Sequence, residues 1–136
     1  MAKGFSLQDP ELKRNLKELM MRSTWASLRA YSADWALIIG AATFSWKTFA
    51  LEGVSAFSFG IYCFACLIIA SRQKGFENLT HEASHYNLSA NRTLNDTMCY
   101  GLGAMWPHPS LSLHGQRRSH IKGHHAYFWD PVHDSE

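Results

Sequence analysis

Hydrophobic and polar positions divide the 136-residue chain into three parts: a polar stretch, an apolar block over residues 35–70, and a mixed segment that carries every histidine. In the first part Leu12, Leu16 and Leu19 recur at i, i+4 and i+7 with Met20 beside them, while Lys13, Arg14 and Lys17 take the other side. That period predicts an amphipathic basic helix. Asp9 as N-cap, Pro10 at the first helical position and Glu11 in the first turn give it a start. Trp25 and Tyr31 are expected to continue it. Such a helix suits a membrane surface, and by itself suits a soluble core equally.

The apolar block decides between them. Residues 35–50 are apolar except for Lys47, Glu52 and Gly53 break the run, and residues 54–70 carry no charge. Each run is close to the short end of the spanning range of roughly 17–25 residues. The expected fold is all-α: an integral membrane helical hairpin, preceded by the amphipathic segment over residues 1–32 and followed by histidine-bearing helices in the remainder of 33–136. Lys47 lies about one turn before the break, where its ammonium can snorkel to the far interface. Trp35 and Trp46 fall where interfacial aromatics belong. Of 13 Lys and Arg residues, Lys47 alone lies at the hairpin tip. The positive-inside rule therefore directs the N-terminus and the histidines to the cytoplasm.

After the hairpin, residues 76–88 are expected to continue as helix. Residues 89–97 read as a polar turn, with Asn95 and Asp96 as turn or cap residues. Residues 98–113 are apolar but broken by Pro107 and Pro109, which predicts a re-entrant or interfacial element.

Composition adds little. A net charge of +2 gives no reason to expect a nucleic acid partner, and residues 1–29 lack a signal-peptide pattern. Cys63-Phe64-Ala65-Cys66 reads as CxxC but has no strand before it, so buried packing is expected rather than redox chemistry. Three cysteines provide no disulfide framework.

The candidate chemistry lies in two clusters, His81-Glu82-Ala83-Ser84-His85 and His120-Ile121-Lys122-Gly123-His124-His125. Residues four apart share a helix face, so His81 and His85 can aim at one point, as can His120 and His124. His125 would project about 100° further round. Neutral imidazole suits iron, zinc, copper or nickel. Five candidates exceed the three protein ligands of a catalytic zinc site, which points to a two-metal centre. His81–His85 also fits HExxH, so a membrane zinc metalloprotease with Glu82 as base is one alternative. Glu82 is expected instead as a solvated residue or as a partner behind a ligand histidine. A non-catalytic remnant or membrane-anchored partner without metal is another alternative. His108 and His133 read as lone surface or interfacial residues, His114 as a reserve ligand, and Asp130 and Asp134 as surface acids or supporting carboxylates.

These residues resemble the membrane fatty acid desaturase and hydroxylase family. The matching elements are the hairpin ending in Arg72-Gln73, HEASH at 81–85 with Asn87, the stretch from Asn91 to Asp96, the broken apolar segment, and Arg117-Arg118-Ser119 before HxxxHH at 120–125. The likeness covers the chain from about residue 30 onward. It implies that His81, His85, His120, His124 and His125 match the ligands of the first two of three histidine boxes, which together hold two iron ions on the cytoplasmic side. It also implies O2-dependent introduction of a double bond into an acyl chain, or hydroxylation, with electrons from a ferredoxin or a cytochrome b5 type partner. The family's third box, HxxHH, does not occur in these residues. The resemblance is thus expected to be to the N-terminal part of such an enzyme, inactive unless another segment or chain supplies that box.

Overall fold

A computed structural model of the chain describes residues 9–103 and 112–134. Its elements are α1 (Pro10–Leu19), α2 (Thr24–Glu52), α3 (Ala56–Ser84), α4 (Arg92–Leu102), α5 (Leu113–Gln116), a π-helix (Arg117–His124) and α6 (His125–Tyr127). No strand occurs among the described residues, in keeping with the expected all-helical class.

The Asp9 carboxylate accepts from the Glu11 amide at 2.9 Å and starts α1 as predicted. The helix does not continue to Trp25 and Tyr31. It ends at Leu19, and the Ser23 hydroxyl accepts from the Ala26 amide at 3.2 Å, giving the chain a fresh start; both aromatics belong to α2. No side chain of α1 is buried, and the apolar Leu19 is 83% exposed.

α2 and α3 pair as the expected hairpin. Gly53 makes the turn with a φ of 63°, which an L side chain rarely adopts. Ser55 and Ser58 then cap α3 reciprocally, each hydroxyl accepting from the other's amide. α2 begins well before Trp35, and α3 runs on without a break past Arg72-Gln73 through the first histidine cluster. Toward the closed end of the hairpin the buried side chains are small or polar: Ser45, Thr48, Ser58 and Ala65. Phe44, Phe57, Phe64 and Leu67 face outward. Cys63 and Cys66 are also exposed, contrary to their expected burial, because Ala65 takes the buried position between them. Among the described residues one helix, α3, is long and apolar enough to cross a membrane.

The open end of the hairpin is packed differently. Tyr31, Phe76, Ala83, Leu88, Met98, Cys99 and Leu113 form a buried core drawn from α2, α3, α4, α5 and the turn after α3. Asp34 accepts from Arg72 Nη1 at 3.1 Å and lies so close to Gly75 that a Cβ there would stand 2.6 Å from its Oδ2. Asn91 caps α4 through the Leu94 amide at 3.0 Å, so Asn95 and Asp96 are helical rather than turn residues. Asn95 is fully buried and ties α4 to the end of α3: its Nδ2 donates to the Ala83 carbonyl at 2.9 Å and its Oδ1 accepts from the Leu88 amide at 3.1 Å. The apolar stretch after Met98 continues α4 to Leu102, while the proline-broken element and His108 lie outside the described residues.

Candidate metal centre

Both histidine clusters come from the base of the hairpin, one from the last turn of α3 and one from the π-helix and its junction with α6. All five imidazoles converge. Ring centroids are 4.9 Å apart for His81–His85, 4.5 Å for His81–His120, 5.0 Å for His85–His125 and 5.7 Å for His124–His125. His81, His85 and His120 each bring one ligand nitrogen within 4.8 Å of the others.

The expected α-helical geometry of the second cluster does not hold. The chain from Arg117 to His124 is a π-helix, closed at its end by the His125 amide donating to the His120 carbonyl. The i→i+5 bonding of a π-helix widens the turn, so the residues four and five along both lie near His120. His120 pairs with His125, with centroids 4.5 Å apart and Nε2 atoms at 3.0 Å, whereas His120–His124 centroids are 5.5 Å apart. His81 Nε2 approaches the same His120 Nε2 at 2.8 Å. Three ring nitrogens thus meet around one buried residue. Nitrogens bound at right angles about 2.0–2.1 Å from a metal would stand roughly 2.9 Å apart, so this spacing fits edges of a coordination polyhedron.

Carboxylates set the opposite sides of two rings. His81 Nδ1 lies 3.3 Å from Glu82 Oε1, and His124 Nδ1 lies 2.8 Å from Asp134 Oδ1. An Nδ1–H donated to a carboxylate leaves the Nε2 lone pair for a metal. The Asn87 amide donates to the other Glu82 oxygen at 2.8 Å, holding Glu82 behind His81 rather than across the cluster. Glu82 thus lies against His81 and Asn87, and Asp134, expected as a surface acid or a supporting carboxylate, lies against His124. Burial first, then the positive charge that His81, His125 and His120 would carry, lowers the His85 pKa. Both effects favour the neutral, ligating ring.

The other two histidines among the described residues have neighbours outside the five rings. His114 borders a cavity of 620 Å³ with Tyr86, Arg117, Arg118 and Lys122, and His133 pairs with Asp130 at 3.0 Å.

One group at the site was not foreseen from sequence. Arg117 donates from Nη1 and Nη2 to the two oxygens of Asp96 at 2.9 and 2.6 Å, and from Nε and Nη2 to the Ser84 and Ala83 carbonyls at 3.3 and 3.2 Å. Its guanidinium stacks 4.0 Å from the Tyr86 ring centroid, with Arg92 4.9 Å from the same centroid. The Arg117 hydrogen bond holds the Asp96 carboxyl below its ordinary range, and Asp96 in turn raises the Arg117 pKa. A signal existed: an acid inside a helix that Asn91 starts, and a basic residue one turn ahead of His120.

No family model matches the chain, and no solved structure matches it. Over 81 residues it is 35% identical to the dihydrorhizobitoxine desaturase of Bradyrhizobium elkanii, covering 58% of this chain and 22% of that protein. The chain therefore spans about a fifth of the length of this curated relative. The likeness is thus to part of a protein named as a desaturase, and His81, His85 and His120 are placed where they could hold a metal ion.

Proposed function

We propose that this chain forms part of a membrane-bound di-iron desaturase, in which His81, His85, His120, His124 and His125 contribute ligands to two iron ions. Further ligands come from outside these residues. The observation that carries the reading is the convergence of five imidazoles from two elements, with carboxylates behind His81 and His124. The desaturase named among its relatives favours desaturation as the reaction class. Bound iron would supply the O2-dependent oxidising power needed to remove hydrogen from an unactivated C–H bond of an acyl chain. The chain's own residues hold the ring nitrogens, carboxylates orient the His81 and His124 rings, and burial favours the neutral form of His85. A ferredoxin or cytochrome b5 type protein supplies electrons.

The membrane reading rests on the outward apolar side chains. Only 11% of the most apolar window of α3 is buried, whereas a soluble protein's core helix would be mostly buried. In this reading α2 crosses beside α3, Lys47 reaches the far interface, α1 lies on the near surface, and the histidines face the cytoplasm.

Iron content of the intact chain purified from membranes tests the ligand role. We expect His81→Ala combined with His124→Ala to abolish stoichiometric iron while the hairpin remains helical and membrane-bound. A folded double variant with full iron content would overturn it.

A further inference from the structure

The two histidine clusters are far apart in sequence, and one side chain spans between them. Arg117 stands three residues before His120. Its guanidinium grips the carbonyls of Ala83 and Ser84, the residues between Glu82 and His85. Those carbonyls are at the C-terminal end of α3, where a cation is favoured by the helix dipole. Asp96 holds the guanidinium by both oxygens, a bidentate pairing that fixes its plane as well as its charge. Asn95 donates to the same Ala83 carbonyl, and Tyr86 closes one face of the guanidinium. The Tyr86 backbone, at a φ of 60°, is in a region such side chains rarely adopt. Arg117 thus contacts α3, α4 and the turn between them while its backbone begins the π-helix.

We propose that Arg117, oriented by Asp96, is a positioning residue that sets the separation of the two histidine clusters and so the affinity of the centre for metal. The inference rests on the metal-centre reading, but its geometric part stands without metal. It touches no ligand ring; it acts through the backbone of α3 on His81 and His85 and through the π-helix on His120 and His125. Lysine in its place would keep the charge and lose the planar fork that reaches a carboxylate and two carbonyls together.

The test uses the full chain in lipid nanodiscs, titrated with cobalt(II) alone and followed by its visible absorption, alongside hydrogen exchange of the metal-free chain. Supporting partners of ligand histidines are worth about 10–100-fold in metal affinity. We expect Arg117→Lys and Asp96→Asn each to weaken cobalt binding within that range and to speed exchange of amides 117–125, while hairpin amides exchange as before. Arg118→Ala, one residue along and exposed, should change neither readout. Unchanged affinity and unchanged exchange in Arg117→Lys and Asp96→Asn would overturn the proposal. If the unaltered chain binds no cobalt, the metal-centre reading fails, and the positioning role is decided by exchange alone: acceleration confined to 117–125 supports it, and none overturns it.

Discussion

Along α3 a single helix is packed in two ways. In its first half the large side chains Phe57, Phe64 and Leu67 point away from α2, and Ser58 and Ala65 are buried against it. In its second half the arrangement reverses: Phe76 is buried against Tyr31 and Trp35, and Thr80, Ala83 and Ser84 are inaccessible. The first half has small residues between the helices and bulk facing outward, the packing expected of a helix in the proposed membrane setting. The second has a core of buried apolar side chains with hydrogen-bonded polar groups such as Thr80 and Asn95 among them. The boundary falls at the Asp34–Arg72 pair. His81 and His85 lie about two and a half to three and a half turns beyond it along α3, at the end of the helix that carries the buried core.

This contrast can be broken most forcefully by truncating matched aromatics in the two halves. Phe76→Ala removes a buried ring from the base, and we expect a loss of about 3–5 kcal/mol. Phe64→Ala on the outward face should change stability by no more than about 0.5 kcal/mol. Unfolding of both variants in nanodiscs measures the difference, and equal losses would mean the hairpin has an ordinary core. The outward face should instead be sensitive to charge: Phe64→Asp is expected to impair membrane insertion by about 2.5–3.5 kcal/mol, read as the fraction of chain recovered from membranes.

A smaller effect is expected at Asn95, whose side chain serves the Leu88 amide and the Ala83 carbonyl in a fully buried position. Asn95→Leu keeps the volume and strands those groups, which should cost about 1–3 kcal/mol. A polar-to-apolar change in the hairpin, Ser45→Ala, removes no bond between the helices and should cost less.

The smallest effect concerns acid. Asp96 is held below its ordinary value of 3.8 by Arg117, so the unfolded chain binds its proton more readily than the folded one. Its contribution is complete above 3.8 and is lost as pH falls through the folded value. The stability gap between the unaltered chain and Asp96→Asn should therefore be constant near neutrality and close in acid. A gap that widened on acidification would reverse the sign of the ion pair's role.

The hairpin was legible because its cues are local: the apolar runs, the Glu52-Gly53 break and the lone Lys47 all act within a few residues. The helix starts at Asp9 was legible for the same reason. The base was not. Its core gathers single residues from several elements, and its key polar groups, Asn95, Asp96 and Arg117, resemble turn and surface residues until the fold brings them to Ala83 and Ser84. Trp25 and Tyr31 were assigned to the wrong helix because Ser23 interrupts a run of charges and aromatics that reads as continuous. The five imidazoles were legible as a candidate cluster, and the fold brings them together. Their pairing was not, since His120-Ile121-Lys122-Gly123-His124-His125 fits an α-helical i, i+4 pair and a π-helical i, i+5 pair equally well, and the choice belongs to the packing of the π-helix against α3 and α5.

The central claim is that rings from both clusters bind one iron centre, and X-ray absorption at the iron edge of the full chain tests it most directly. The account predicts a nitrogen-rich shell with the multiple scattering of several imidazoles, reduced in both His81→Ala and His120→Ala. Iron bound without imidazole scattering, or a spectrum unchanged by either substitution, would contradict it.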